Sequence, residues 1–171
     1  MKKSFAFWQF WGFVFTSVSG TLLHFLYDIS GKSIIAAPFT AINESIWEHM
    51  KLLYFPMLVW SLVEYKFFAY QIPNFWCEKL RGFFVGLLLI PVIYYTYTGA
   101  LGVFADWFNI LIFFIVAATA YITETKYVAN GKKCLLSPKI SFAIILMMGF
   151  LFIIFTFAPP GIPLFQDPQK R

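Results

Sequence analysis

The run Asn43-Glu44-Ser45-Ile46-Trp47-Glu48-His49-Met50-Lys51 sets two carboxylates, an imidazole and an ammonium side by side in an otherwise apolar sequence. Ionisable groups close to hydrocarbon are expensive, so a group of this kind marks a functional site once partners exist for each member. Wound as a helix, Lys51, Glu44, Glu48, Ser45 and His49 sweep an arc of about 160°, too wide and too polar to face lipid. Upstream, Ser17, Thr21, His24 and Asp28 follow one another at i, i+4, i+7 and i+11, a stripe about 60° wide on one helix face. His24 and His49 each lie about one turn inside successive helices of a hairpin, at similar depth. Two imidazoles and one or two carboxylates at one level are the donors that zinc, iron or manganese takes. The chemistry read from these residues is metal-assisted hydrolysis. His24, Glu48 and His49 hold a divalent metal, Asp28 orients His24, Glu44 acts as general base toward a water on the metal, and Lys51 steadies a phosphate or an oxyanion. Asn43, Ser45, Tyr94 and Asp106 form the surrounding polar shell. A plainer account stands beside this one: Asn43 as an N-cap, Glu44 as a helix-dipole partner, hydroxyls that pack helix on helix, and Lys51 with protonated histidine neutralising Glu44, Glu48 and Asp28 in an ion-paired core.

The elements that must position these side chains are membrane spans. The 171 residues are 60% hydrophobic, 22% aromatic and only 12% charged, with a mean hydropathy of +0.74, against the roughly 25% charged residues of a soluble domain. A hydrocarbon core takes about 20 helical residues, and five stretches suffice: about 6–28, 44–68, 82–101, 104–126 and 140–158. The sequence therefore predicts an all-α integral membrane protein, a single domain over residues 1–171 without linker or internal repeat. Nine of the thirteen basic residues (Lys2, Lys3, Lys66, Lys79, Arg81, Lys126, Lys132, Lys133 and Lys139) fall on one face of the five-span arrangement. The positive-inside rule makes that face cytoplasmic, the N-terminus inside and the C-terminus outside. The charge of +5 is spread over short loops, so it is explained by topology and not by nucleic acid. The partners expected are the bilayer and a lipid or small solute.

Alternate helix ends share a surface, so His24, Asp28, Glu44 to Lys51, Tyr94 to Thr98, Asp106, Asn109 and Thr156 are expected together at the outer face. Residues 30–42 are too apolar for water and too short to span, and should lie at the interface or dip back into it. The tail 159–171, rich in proline, should run extended and fold over the polar cluster. At the basic face, Glu64, Glu78 and Glu124 are expected to pair with Lys66, Lys79 and Lys126. Cys77 and Cys134, in loops assigned to the cytoplasm, are expected as free thiols. Met1-Lys2-Lys3 imitates a signal peptide, but the apolar run that follows is too long and lacks a cleavage site.

At residues 43–51, together with His24-x-x-x-Asp28 and the closing 156–168 segment, the chain resembles a family of small bacterial integral membrane proteins that carries the designation of a domain of unknown function, with an Asn-Glu-Ser-x-Trp-Glu-His signature. That resemblance covers nearly the whole chain and implies a multi-span fold in a bacterial cytoplasmic membrane, without a substrate. The chain is also similar in arrangement to the metal-dependent membrane hydrolases related to alkaline ceramidases, in which histidines and an aspartate bind zinc between helices. It departs from them in having five expected spans where they have seven, and in lacking their paired histidines toward the C-terminus. Hydrolysis of a lipid or other membrane-associated substrate competes with three alternatives: a small-solute binding or transport subunit, a bis-histidine haem protein, and a non-catalytic assembly partner.

Overall fold

The five apolar runs become five helices: α1 (Lys2–Ile29), α2 (Ile46–Phe68), α3 (Phe75–Leu101), α4 (Asp106–Asn130) and α5 (Pro138–Phe157). The computed structural model describes residues 2–102, 106–131 and 134–168, and no strand occurs among them. The side chains of Lys2, Lys3 and Asp106 lie outside the described residues, as do Lys132, Lys133, Lys170 and Arg171, which weigh in the charge argument. Four helices, α1, α3, α4 and α5, are long and apolar enough to cross a membrane. Their outward positions carry exposed Phe7, Trp11 and Leu22 on α1, Val92 on α3, Ile110 on α4 and Phe150 on α5.

The fifth helix, α2, is the hub, packed against all four of the others. It has 23 residues, enough to cross, but includes Glu48, His49, Lys51, Glu64 and Lys66. Most of these are turned inward: Glu48, Lys51 and Glu64 are all buried. Its middle packs closely on α5. Tyr54 donates a hydrogen bond of 2.5 Å to the Ile145 carbonyl of α5, and a Cβ on Gly149 would sit 2.7 Å from the Tyr54 hydroxyl. Only a glycine there lets α5 come close enough for that bond.

At the basic face the pairing differs from the expectation. Lys79 forms ion pairs with Glu64 and Glu124 at once, the second at 2.6 Å, while Glu78 pairs with Arg81 at 2.7 Å. Neighbours one or two apart on a helix point in different directions, which rules out Glu64–Lys66, Glu78–Lys79 and Glu124–Lys126; partners come from i+3 or from another helix. The free-thiol expectation is also corrected: Cys77, in the first turn of α3, is disulfide-bonded to Cys134, with 6.4 Å between Cα atoms. Packing of α5 beside α3 brings the connection before α5 over the start of α3, and no spacing in the sequence could signal it.

The 30–42 segment is a string of turns with Ala37, Thr40 and Ala41 buried and Ile34 and Ile35 exposed. The tail does not run extended throughout. It closes a 3-10 turn over Pro163–Phe165 and lays Phe165 against Trp47 of α2 and Phe155 of α5, at ring separations of 4.6 and 5.5 Å.

Candidate functional site

The start of α2 is set by Ser45, not by Asn43. Ser45 is the N-cap, its hydroxyl accepting from the Glu48 N–H at 3.4 Å, while Asn43 accepts from the Ser45 N–H at 2.9 Å in an Asx turn just ahead of the helix. Ser45-x-x-Glu48 thus has the spacing of a capping box. Because Asn43 already takes the Ser45 N–H, the Glu48 carboxylate reaches further back and accepts from the Ile42 N–H at 2.9 Å. The same carboxylate binds Lys51 at 2.7 Å. Lys51, fully buried, donates also to the Ala37 carbonyl at 3.0 Å and to the Thr156 hydroxyl at 2.7 Å. Glu48 and Lys51 therefore fasten the 30–42 segment and α5 to α2, and neither faces the histidines.

Glu44 stands where Glu48 was expected. It precedes the helix, so helical arithmetic does not govern its direction, and the chain turns it toward α1. One oxygen, Oε2, lies 3.7 Å from His24 Nε2 and 3.5 Å from His49 Nε2. The two imidazole rings meet edge to face with centroids 5.4 Å apart. One ligand atom from each of His24, Glu44 and His49 falls within 4.8 Å of the others. The imidazole of His49 is oriented from behind: its Nδ1 lies 2.9 Å from the Ser45 carbonyl. A carbonyl only accepts, so Nδ1 carries a hydrogen, and Nε2 is the nitrogen turned toward Glu44. A backbone carbonyl behind the ring is the usual support of a metal-ligating histidine. The His24 imidazole beside Glu44 holds that carboxyl below its ordinary range, with His49 adding to the effect and partial burial opposing it.

The remaining expected residues are distributed around this group. Asp28 is exposed one turn beyond His24 and makes no hydrogen bond to it among the described residues. Tyr94 lines a small cavity with Glu44 and His49. Asn109, at the start of α4, lines the same cavity and accepts from the Tyr97 hydroxyl at 2.6 Å. The side chain of Asp106 lies outside the described residues.

A larger cavity of about 300 Å³ opens beside the cluster between α1, α2 and α4. His24, Glu44, His49, Thr21 and Asn109 supply its polar lining; Phe25, Leu52, Ile110, Phe113 and Phe114 supply apolar walls. Phe25 and Ile110, 58% and 61% exposed, stand at the outer surface of α1 and α4, so the cavity reaches the apolar flank of the bundle. Gly20 shapes its floor, since a Cβ there would lie 2.8 Å from the Leu52 carbonyl and closer still to Phe113. The apolar wall was not foreseen, because aromatic residues on a span read equally well as lipid contacts. Asp167 was also missed as a neighbour: the turn that seats Phe165 on Trp47 brings it within electrostatic range of His49.

The chain matches, over residues 1–170, the model of a family of unknown function, DUF6512, and belongs to that family. No curated protein and no solved structure matches it.

Proposed function

We propose that this member of DUF6512 is a membrane-embedded, divalent-metal-dependent hydrolase whose substrate is an amphiphile taken from the bilayer. The observation that carries this reading is the convergence of His24 Nε2, His49 Nε2 and the Glu44 carboxylate at the polar end of a cavity with apolar walls. Two histidines and one carboxylate leave a coordination position free, as catalytic zinc sites and two-histidine, one-carboxylate iron sites do, whereas closed structural zinc sites use four protein ligands. Zinc, iron or manganese are the candidates. A metal in such a site supplies Lewis acidity toward a carbonyl or phosphoryl oxygen. The protein's own part is positional. Ser45 fixes the tautomer of His49, Glu44 provides the negative charge, and Phe25, Ile110, Phe113 and Phe114 offer an apolar slot for an acyl chain while the bond to be broken stays at the polar end. Lys51 and Glu48 serve the scaffold in this reading.

The haem alternative is disfavoured, because one Glu44 oxygen already lies against both Nε2 atoms and a porphyrin plane would have to displace it. The topology that goes with the proposal has all five helices crossing, the N-terminus in the cytoplasm and the cluster at the outer face. The test is metal titration of the purified, chelator-stripped protein with Zn²⁺, Mn²⁺ and Fe²⁺, followed by incubation with mixed lipid vesicles and chromatography of the products. One ion bound per chain, lost in His24→Ala and His49→Ala, with new lipid products formed only by the metal-loaded wild type, is expected. A wild type that binds none of the three ions overturns the site; a metal-loaded protein that leaves every lipid intact overturns the activity.

A further inference from the structure

The other polar cluster, at the opposite end of the bundle, has more acid than base. Glu64 of α2, Lys79 of α3 and Glu124 of α4 are 0%, 1% and 0% exposed, and Gln9 of α1 is 2% exposed. Lys79 Nζ is bonded to both carboxylates. Phe5, Phe75 and Tyr121 place their rings 5.5–5.8 Å from the same nitrogen, and Tyr121 spends its hydroxyl on Thr16 at 2.7 Å. Two carboxylates and one ammonium leave an unbalanced negative charge sealed from water among aromatic rings. A group in that position takes up a proton in preference to remaining charged.

The hydrogen-bond arrangement says which one. Both oxygens of Glu64 face donors: Oε1 accepts from Gln9 Nε2 at 2.9 Å and Oε2 touches the Lys79 ammonium. Glu124 uses only Oε2, at 2.6 Å from Lys79. Among the described residues its Oε1 has no partner, and neither has Gln9 Oε1, although both atoms are buried. Glu124 Oε1 also packs on the bare Cα of Gly82, where any Cβ would collide with it. One added hydrogen, as a hydroxyl at Glu124 Oε1, removes the surplus charge at the carboxylate oxygen of the pair that no donor faces among the described residues.

We propose that Gln9, Glu64, Lys79 and Glu124 form a proton-binding site, in which Glu124 holds one exchangeable proton on Oε1 while Glu64 and Lys79 remain an ion pair. Proton release leaves Glu124 as a carboxylate on Lys79 and delivers the proton to solvent, so no other reactant is involved. The site joins α1, α2, α3 and α4, which makes the packing of those four helices the element that senses its occupancy. It is separate from the histidine cluster and does not depend on metal there.

The test is infrared spectroscopy of the full-length protein in lipid nanodiscs at neutral pH, with thermal unfolding of the same samples. The carbonyl stretch of a protonated carboxylic acid, shifting in D₂O, is expected in the wild type and in Glu44→Gln, and is expected to vanish in Glu124→Gln. Because an amide copies the neutral acid, Glu124→Gln should keep the wild-type unfolding temperature, while Glu64→Gln, which strips the ionised partner from Lys79, should lower it or fail to fold. Absence of the acid band in the wild type overturns the proposal, as does its survival in Glu124→Gln. A Glu124→Gln protein that fails to fold, or one less stable than Glu64→Gln, also overturns it.

Discussion

Replacing Lys51 by methionine removes an ammonium that lies 2.7 Å from Glu48 Oε2, 3.0 Å from the Ala37 carbonyl and 2.7 Å from the Thr156 hydroxyl. The carboxylate left behind, on a residue 2% exposed, retains among the described residues only the Ile42 N–H as a donor. Breaking a buried ion pair from one side costs about 3–5 kcal/mol, because a charge stays behind without its partner. The orphaned Ala37 carbonyl belongs to the same disruption and adds about 1–3 kcal/mol at most. Removing both charges at once relieves most of this, so Glu48→Leu with Lys51→Met should be much closer to the wild type than the single changes suggest. Equilibrium unfolding of the four proteins in one detergent gives the double-mutant cycle, with a coupling of about 3 kcal/mol or more expected, at or above the upper end for residues in contact. Hydrogen exchange should show residues 30–42 losing protection in Lys51→Met, since Glu48 and Lys51 hold that segment down. Metal binding by the double variant should match the wild type. Strictly additive single effects, or a Lys51→Met protein as stable as the wild type that fails only in metal binding or turnover, would refute the structural assignment and return Lys51 to the chemistry.

Other outcomes follow from the same geometry. Metal affinity should fall as pH drops through the histidine range, about 6.5 for an unperturbed imidazole, and an affinity that rises on acidification refutes ligation by His24 and His49. In the metal-free protein the depressed carboxyl of Glu44 contributes stability that is present above its unfolded value of 4.5 and lost as pH falls through the lower folded value. The gap in unfolding temperature between wild type and Glu44→Gln should therefore close below that point, and a gap that widens there contradicts the contact with His24. Deleting residues 159–171 takes away Phe165 from Trp47 and should make His49 react faster with diethyl pyrocarbonate while the bundle stays inserted; an unchanged rate removes the tail from the site. Orientation is open to direct measurement. A C-terminal reporter active only outside is expected from the basic loops, whereas a reporter active only in the cytoplasm would invert the topology.

Helix existence was legible because apolar runs of span length have few other uses, and the ends of α2 and α5 fall within about two residues of where hydropathy puts them. The start of α3 was misjudged: Trp76, Cys77, Glu78 and Lys79 read as a polar loop, but all four are buried inside the helix, starting at Phe75. Glu78 pairs locally with Arg81, but Trp76 packs on Tyr65 of α2 and Phe142 of α5, Cys77 is joined to Cys134, and Lys79 pairs with Glu64 of α2 and Glu124 of α4, information that no local window contains. The site shows the same division. His24 and His49 were matched from depth alone, and depth is a property of the sequence. The exchange of Glu44 for Glu48 turned on which residue caps α2. With the cap at Ser45, Glu48 becomes the third helical residue and bends back to the preceding loop, while Glu44 escapes the helical arc altogether.

The buried charges of α2 bear on how the chain is made. This is the helix that hydropathy leaves out of the candidate spans, yet it lies at the centre of the bundle. Its polar side chains are answered by Gln9 before it and by Lys79, Glu124 and Thr156 after it, Lys79 joining Glu64 to Glu124. During synthesis only the first of these exists when α2 leaves the ribosome. Lys51 then waits through 105 further positions for its hydroxyl on α5. A nascent chain arrested before residue 156 is therefore expected to hold α2 less firmly than the full chain, with Lys51 kept only by Glu48 and the Ala37 carbonyl.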